Sequence, residues 1–550
     1  MKKPQRILAM LLVLALCVCL IAGCSNSNNS PSGTQSGSNP AGVPSNGGSE
    51  YTGEKAVTIG AASDIESFNP YANLYSERYS ILSLVYQPLV LNVDNVFYNV
   101  LITGYDQTDD FTFVLHLRDN ITDSAGNPFK ASDVVYSFRL ANESGFFSKT
   151  DDIESIVDTD ELTVEIKFKD TMLYGEIDMI TTQIFMVTEA AYSASANGMS
   201  TDPVGTGPCV VDDYMEGSYV VYKINPDYWN TAKEGEEGFV PFYDASKLDT
   251  IRYDFITEAS QRAIALESGS IDVANLLDYV DYSAYENDSH YNTYWRVGEV
   301  YDATYNCDEN HPLSNQNMRL AISYCIDVDG LILGAFDGQA EANKGMNNVY
   351  HLDCPDNIAS ASYEYYTYNL NTAKEYLQKY FDETGKTAAD TNITILVVNS
   401  QELERVAQIC QTFIRALGIG CDVQSYDNVT RKTIRNSRDG WDIAIAKDTA
   451  TALYNCDKLN MQWNRTTGKS MAGGWVDDEE LDNLMRAAVS PATHSKETMS
   501  AFEDYFYQMA FGRSLIIDRL YSASASWIDK TDGSYGYTSP LASTYDWSAK

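Results

Sequence analysis

The chain has 550 residues, 44% of them hydrophobic, and a formal net charge of −39 at pH 7. The roughly 500 residues that follow the N-terminal segment are too many for one hydrophobic core and enough for two or three domains. Such an acidic chain is excluded as a nucleic-acid binder and does not lie flat on anionic lipid. An acidic substrate would require a local cationic pocket.

The N-terminus reads as an export signal. Three basic residues precede an apolar run over residues 7–20, which is shorter than the roughly 20 apolar residues of a membrane-spanning helix. Ile21-Ala22-Gly23-Cys24 resembles a lipobox, so residues 1–23 are predicted to be a lipoprotein signal peptide and Cys24 the lipidated residue. Residues 24–50 are rich in Ser, Asn and Gly, which predicts a disordered tether.

The first elements of the folded part alternate between strand and helix patterns. Residues 57–60 and 112–117 are predicted strands, and residues 80–86 are a predicted helix. A further helix is predicted to start at Ala131, with Ser132 as its N-cap.

Residues 203–230 combine two turns, a strand and an aromatic pair. Gly205-Thr206-Gly207-Pro208 is typical of a rigid turn, because glycine supplies unusual backbone angles and proline fixes φ. Residues 218–222 are β-branched and aromatic and predict a strand. The turn at Asn225-Pro226 then leads to Tyr228-Trp229, which is expected to anchor the segment.

The second half contains a predicted βαβ unit: strand 393–398, helix 402–417 and strand 418–423. The other predicted elements are strands over 248–255, 271–274 and 441–446 and helices over 258–268, 319–327 and 369–380. We find no internal repeat.

Seven cysteines follow Cys24, and an odd number cannot all pair within one chain. Cys325 and Cys410 lie in apolar helical patterns and are predicted to be buried thiols, and we expect at most one disulfide. The pairs Cys307/His311 and His351/Cys354 have zinc-like spacing. The alternatives are two unrelated loops or a Cys307–Cys354 bridge, and we expect no metal and no cofactor.

Motifs of catalysis are missing from the sequence. It contains no G-x-S-x-G elbow, no H-E-x-x-H, no P-loop and no dinucleotide fingerprint. The acid pairs Asp151-Asp152 and Asp477-Asp478 are local runs that suit solvated faces or helix starts. We therefore expect a protein that is not an enzyme, and a secreted hydrolase is the least favoured interpretation.

Several ordered motifs together resemble one family. Gly-Thr-Gly-Pro followed by Asn-Pro-x-Tyr-Trp, the block over residues 112–138, and Ala-Leu-x-x-Gly-x-Ile-Asp at residues 265–272 are similar to the bacterial extracellular solute-binding proteins of family 5. That family includes the oligopeptide, dipeptide and nickel receptors of ABC importers. The resemblance runs from about residue 56 to the C-terminus.

The resemblance implies an α/β fold with two lobes, like the periplasmic binding proteins of class II (cluster C), whose first lobe is discontinuous and carries an extra subdomain. The expected division is lobe I over 51–86, 206–299 and 524–550, the extra subdomain over 87–205, and lobe II over 300–523. The two crossings between lobes are expected near Glu299 and Ser524.

The resemblance also implies ligand-binding residues, grouped in three segments: Leu74, Tyr75 and Ser76; Asn275 and Leu276; Lys447, Asp448 and Thr449. The sequence departs from the peptide receptors at two points. Thr451 stands where those receptors carry an aspartate for the peptide amine, and Ile445 stands where they carry an arginine. Asp448 is the candidate replacement for that aspartate, because a desolvated amine needs a charged partner.

These observations predict a membrane-tethered subunit of an ABC importer that closes on a solute and docks on the permease. A short peptide is the leading ligand. A neutral oligosaccharide is the alternative, because the 39 tyrosines suit stacking on sugar rings. The receptor is expected to be a monomer held at the extracytoplasmic face of the cell membrane by the lipid on Cys24.

Overall fold

A computed structural model describes residues 52–72, 76–93, 95–346, 348–359, 365–449, 453–463, 476–529 and 539–550. The predicted signal peptide, Cys24 and the tether lie outside the described residues. Within these ranges, no helix combines the length and the apolar character that crossing a bilayer requires.

The strands and helices are numbered here in chain order. The strands are β1 (Ala56–Ala61), β2 (Gln87–Pro88), β3 (Val90–Val93), β4 (Val96–Asn99), β5 (Ile102–Asp109), β6 (Thr112–Leu117), β7 (Ile153–Asp160), β8 (Thr163–Phe168), β9 (Phe185–Met186), β10 (Cys209–Met215), β11 (Tyr219–Ile224), β12 (Thr250–Phe255), β13 (Val273–Leu277), β14 (Tyr291–Tyr305), β15 (Glu341–Ala342), β16 (Asn392–Val398), β17 (Gly420–Tyr426), β18 (Ile443–Thr449), β19 (Gly512–Ala525), β20 (Ile528–Asp529) and β21 (Thr544–Tyr545). The α-helices are α1 (Ser76–Leu82), α2 (Ala131–Ser144), α3 (Glu176–Gln183), α4 (Glu189–Ala194), α5 (Ala259–Glu267), α6 (Tyr279–Tyr285), α7 (Gln316–Cys325), α8 (Val328–Phe336), α9 (Asp356–Ala359), α10 (Leu370–Thr384), α11 (Gln401–Arg415), α12 (Asn428–Ser437), α13 (Asn455–Trp463), α14 (Glu479–Val489) and α15 (Lys496–Met509).

One sheet of 11 strands organises the molecule, in the order β10-β11-β12-β1-β13-β19-β14-β18-β16-β17, with β15 paired to β19. The long strands β14 and β19 are antiparallel neighbours in its middle. Parallel pairs lie on either side of them, β1 with β12 and β16 with β17. The two halves of the sheet are therefore joined through β14 and β19, whereas the predicted lobe boundaries stay predictions.

The apolar residues form separate cores in the two halves of the sheet. One core is built around β1, β11 and β12 and extends into a smaller antiparallel sheet of order β5-β6-β8-β7. A second core lies between β14, β16 and β18 and the helices α7, α8 and α11. A third gathers α13, α14 and α15 with Leu173 and Met179 from the predicted subdomain.

Most predicted elements are found with shifted ends. The βαβ unit is confirmed, since β16 and β17 pair in parallel and α11 packs against both. The N-cap prediction is wrong: Lys130 caps α2, and its N–H donates to Asp133 Oδ2 at 2.8 Å. The first helix starts at Ser76, earlier than predicted, and the side chain of Glu77 in its first turn accepts hydrogen bonds from the backbone of Ala62 and Ser63 at 2.8 and 3.1 Å.

The Gly-Thr-Gly-Pro turn packs directly against the chain that follows α1. Gly207 N donates to Val85 O at 2.7 Å. Trp229 is buried, and its Nε1 donates to Thr206 O at 2.9 Å and to Gln87 Oε1 at 3.1 Å. The predicted role of the aromatic pair as an anchor is confirmed, because Trp229 joins the turn to β2.

We predict that Gly207→Ala destabilises the protein, because a methyl group at this position would overlap the backbone of Leu84 and Val85. The expected loss is about 1–3 kcal/mol, the usual cost of overpacking, measured by denaturant unfolding. Gly104→Ala is the matched control, since a methyl group there meets nothing within 4 Å. Equal stability of the two variants would contradict the tight fit of the turn.

Candidate functional site

The end of β13 is held by a buried arginine. Arg262 Nε donates to Asn275 O at 2.7 Å, and Nη2 donates to Leu276 O at 2.6 Å. The Arg262 side chain is buried, and its burial lowers the pKa of the guanidinium. Leu276 has φ 52°, in the left-handed region that residues with a side chain rarely adopt. The chain therefore turns sharply at the place where the sequence predicts ligand contacts.

The pairing of β14 and β19 is interrupted by a bulge at Gly298 and Glu299. The backbone N–H of Glu299 donates to the carboxylate of Asp518 on the opposite strand. A side chain at Gly298 would overlap this carboxylate, so glycine is the residue that fits. The bulge thus brings a buried acid to the centre of the sheet.

Lys447 on β18 is the centre of a charged cluster beside the bulge. Its Nζ lies 2.9 Å from Glu402 Oε2 and also pairs with Glu299. Tyr301 Oη donates to Glu402 and to Asp518 Oδ2, the latter at 3.3 Å. Burial opposes the positive charge of Lys447, but hydrogen bonds to the two glutamates raise its pKa above the ordinary value.

Asp518 is the most deeply buried acid of this cluster. Its side chain is buried, and burial raises its pKa to about 6 against the donated N–H of Glu299, with the charges of Glu299 and Glu402 adding to the rise. Because three carboxylates share one lysine, the cluster has more negative than positive charge.

A cavity of about 340 Å³ opens beside this cluster. Its walls come from the turn after β13, the end of α8, the start of α11 and the middle of β19. The charged residues of the wall are Asp278, Asp337, Glu402, Arg405, Asp518 and Arg519, and its other residues include Leu276, Tyr279, Phe336 and Tyr521. Acids and bases face the same space, which suits a solute that carries both charges.

Arg519 is the guanidinium with spare donor capacity in this wall. Its Nη2 donates to Glu341 Oε1 at 2.6 Å, and the guanidinium lies 4.0 Å from the centre of the Trp295 ring. Its Nε is buried and has no hydrogen-bond partner among the described residues. A carboxylate would satisfy this donor.

A second set of contacts joins the predicted subdomain to the predicted lobe II. Tyr174 N donates to Val489 O at 2.9 Å, and the Tyr174 ring stacks on His494 with centroids 3.7 Å apart. Tyr454 Oη donates to Asp178 Oδ2 at 2.6 Å. The two parts of the chain are in direct contact here, away from the cavity.

An ion pair and a buried glutamate belong to the same contact. Lys149 pairs with Asp457, and each side chain is only 16% exposed. Burial raises the pKa of Glu176 to about 7, although the charge of Lys149 lowers it. A charge pair with so little exposure is screened weakly by salt, and the loss of one partner would leave the other charge buried and unpaired.

The first of the three predicted ligand segments is only partly described. Leu74 and Tyr75 lie outside the described residues, and Ser76 begins α1. In the second segment, Leu276 lines the cavity, and Asn275 contributes the carbonyl that Arg262 binds.

The third segment is part of a strand instead of following one. β18 continues to Thr449, and Lys447, Asp448 and Thr449 pair with Tyr301, Val300 and Glu299 of β14. The structure brings this segment to the cavity through Glu402, which lines the wall and binds Lys447. A common cleft for Tyr75, Asn275 and Asp448 stays a prediction.

The residues considered for zinc have other partners. His311 Nδ1 lies 2.9 Å from Asp442 Oδ1, and its Nε2 lies 2.8 Å from Arg438 O. Cys307 and Cys354 are free thiols, as are the other five described cysteines. Cys325 and Cys410 are buried as predicted, and no group of three or more potential metal ligands occurs in the described part of the chain.

Comparison with known proteins decides the family. The sequence pattern of "Bacterial extracellular solute-binding proteins, family 5 Middle" matches residues 97–470, which is more than half of the chain. The chain belongs to family 5. It is therefore a solute-binding protein of ABC importers that acts outside the cytoplasm, binds small solutes and works with permease components, without catalysis.

Relatives with assigned names support this family. The glutathione-binding protein GsiB of Shigella boydii is 22% identical over 491 residues, 85% of this chain and 90% of the relative. A Brucella ovis protein named for peptide binding in an ABC transporter is 25% identical over 393 residues, 68% of this chain and 69% of the relative.

A solved structure gives the same fold. HbpA2 of Haemophilus parasuis superposes with a TM-score of 0.77 and 16% identity, over 89% of this chain and all of that chain. The two-lobed α/β fold of the periplasmic binding proteins is thereby confirmed.

Sequence reasoning missed the acids of the cluster and Arg519. The sequence predicts Glu402 only as the first residue of a helix, and Glu299 only as a residue near a crossing between the lobes. The sequence does contain a signal for Asp518 and Arg519, because these two charged residues directly follow the apolar run Leu515-Ile516-Ile517 within β19. Charged residues next to the buried apolar run of a strand are candidates for a functional site.

We predict that Asp518 makes the folded state less stable as pH rises. Its pKa is 3.8 in an ordinary environment and about 6 here, so the folded state holds the proton more tightly. The stability from this proton is complete below about pH 4 and lost as pH rises through about 6. Asp518→Asn should remove roughly 2–3 kcal/mol of this pH dependence, measured by unfolding at several pH values. A parallel pH profile for variant and parent would contradict the raised pKa.

Proposed function

We propose that this family 5 receptor captures a short peptide in the cavity beside Asp518. The observation that carries the proposal is the mixed charge of the wall: Arg405 and Arg519 line the same cavity of about 340 Å³ as Asp278, Glu402 and Asp518. A free peptide has a carboxylate and an amine, and each needs a partner of opposite charge when water is removed. The names of the Shigella and Brucella relatives, which refer to glutathione and peptide binding, support this class of ligand.

In this proposal the arginine side of the cavity receives the peptide carboxylate. Arg519 Nε is a buried donor that has no partner among the described residues, and the Arg519 side chain is fixed by Glu341 and the Trp295 ring. The peptide amine lies toward the acids of β14 and β18, with Asp448 as the proposed partner. The other proposed ligand contacts are Leu74, Tyr75, Ser76, Asn275, Leu276, Lys447 and Thr449.

We propose that the protein is a monomer on the outer face of the membrane, where a lipid on Cys24 holds it. There it passes its solute to the ABC permease. Cys24→Ser should move the protein from the membrane fraction to the soluble fraction, because the thiol that is proposed to carry the lipid is lost. Both fractions are measured by immunoblot. A variant that stays with the membrane would contradict the anchor.

We predict that di- to hexapeptides raise the melting temperature and that neutral oligosaccharides do not. A thermal-shift screen checks this, and Arg519→Ala should weaken the binding of any hit at least tenfold, as measured by calorimetry. Arg139→Ala is the matched control, because Arg139 forms an exposed pair with Glu143 on α2. Peptides with an amidated C-terminus should bind more weakly than free peptides.

A response to oligosaccharides alone would favour the other ligand class, for which the neighbouring rings of Tyr279 and Tyr521, 5.4 Å apart, offer a stacking surface. Turnover of any hit would favour a hydrolase. Asp448→Asn should weaken peptide binding, and unchanged affinity would remove Asp448 from the proposed amine contact.

We also infer that the contact around Tyr174 stabilises the closed form. Lys149→Met should raise the Kd of the peptide found in the screen by about tenfold. In this variant the carboxylate of Asp457 would be buried without a partner in the closed form, whereas water would solvate it in the open form. Lys130→Met is the control, since the Lys130–Glu161 pair lies within the subdomain and is exposed. Calorimetry measures both, and equal affinities would show that this contact does not contribute to closure.

A further inference from the structure

A second cavity, of about 430 Å³, lies entirely within residues 327–514. It is bounded by the start of α8, the segment after β15, the residues 365–368 and the start of β19. None of its lining residues belongs to the wall of the cavity beside Asp518. Its volume is in the range of small-molecule sites, which is roughly 300–1,000 Å³.

Two buried polar side chains face this space without enough partners. Asn343 is 6% exposed, and neither atom of its side-chain amide has a hydrogen-bond partner among the described residues. Arg513 is 5% exposed; its Nη2 donates to Tyr366 O at 3.2 Å, whereas its Nη1 has no partner in the described part of the chain. Buried polar groups are normally paired, and each unpaired one costs about 1–3 kcal/mol.

The three unpartnered atoms define what would pair with them. Arg513 Nη1 and Asn343 Nδ2 are donors and suit a carboxylate, whereas Asn343 Oδ1 is an acceptor and suits an ammonium group. The wall also carries two acids, Asp327 and Asp329, and two bases, Lys344 and Arg513. This balance fits a solute with one charge of each sign and disfavours a dianion such as phosphate.

The remaining wall is aromatic. Tyr365 stacks on Tyr507 with centroids 4.2 Å apart, and Tyr366 lies 5.3 Å from Tyr507. Tyr366 and Tyr507 are buried, so their rings are held in place. Rings in this arrangement offer faces and edges to another aromatic group.

We propose that this cavity is a second binding site, for one free aromatic α-amino acid. The carboxylate binds Arg513 Nη1 and Asn343 Nδ2, the ammonium group binds Asn343 Oδ1, and the side chain lies among the tyrosines. Residues 341–343 run along β19 next to both cavities, since β15 pairs with Ile516 and Ile517. The second site therefore adjoins the strand that carries Asp518 and Arg519.

The test uses L-phenylalanine and calorimetry on the intact protein. We expect saturable binding of one molecule per chain, also in the Arg519→Ala variant of the first cavity. Asn343→Leu and Arg513→Lys should each weaken binding at least tenfold. Asn343→Leu keeps the shape and removes two unpaired polar atoms, so it is expected to fold, which circular dichroism checks.

The probes phenylacetate and phenethylamine each lack one of the two charges and should both bind at least tenfold more weakly than L-phenylalanine. Three results would overturn the proposal: no binding of L-phenylalanine at ~10 mM, binding that Arg519→Ala abolishes and Asn343→Leu leaves intact, or displacement of L-phenylalanine by inorganic phosphate.

Discussion

The hydrogen bond from the Glu299 N–H to Asp518 joins the two central strands at one of the two places where their ladder is irregular. It requires glycine at position 298, because a side chain would occupy the space of the carboxylate. It also requires that an acid be buried, which is unfavourable unless neighbours compensate. Tyr301 and Lys447 supply that compensation, and through them the bond is linked to α11 and β18.

The charge of the cluster follows from this arrangement. Lys447 is shared by Glu299 and Glu402, so its charge compensates that of Asp518 only in part. The cavity beside the cluster therefore has these acids in its wall together with Arg405 and Arg519. A binding protein with charges of both signs in its wall discriminates between solutes by the placement of their charges and not only by their size.

How much the sequence predicts depends on the range of the interaction. The βαβ unit and the anchor at Trp229 follow from local periodicity and turn chemistry, and both are found. The predicted N-cap at Ser132 is wrong because α2 already begins at Ala131, and the carboxylate of Asp133 in its first turn accepts the N–H of Lys130. Lys447 was placed by resemblance alone, and no pattern in the sequence shows that residues 299, 402, 447 and 518 meet. Their proximity depends on sheet register over long separations, which periodicity does not determine.

Within the described residues, the two halves of the sheet are connected through the strands β14 and β19, which are neighbours in that sheet. A relative rotation of the halves therefore has to twist a ladder of hydrogen bonds, in contrast to a pair of loose loops that would rotate freely. The bulge is the point with least resistance, since its bonds are already out of register. Because displacement grows with distance from the axis of a rotation, a rotation at the bulge would move the outer strands β10 and β17 most.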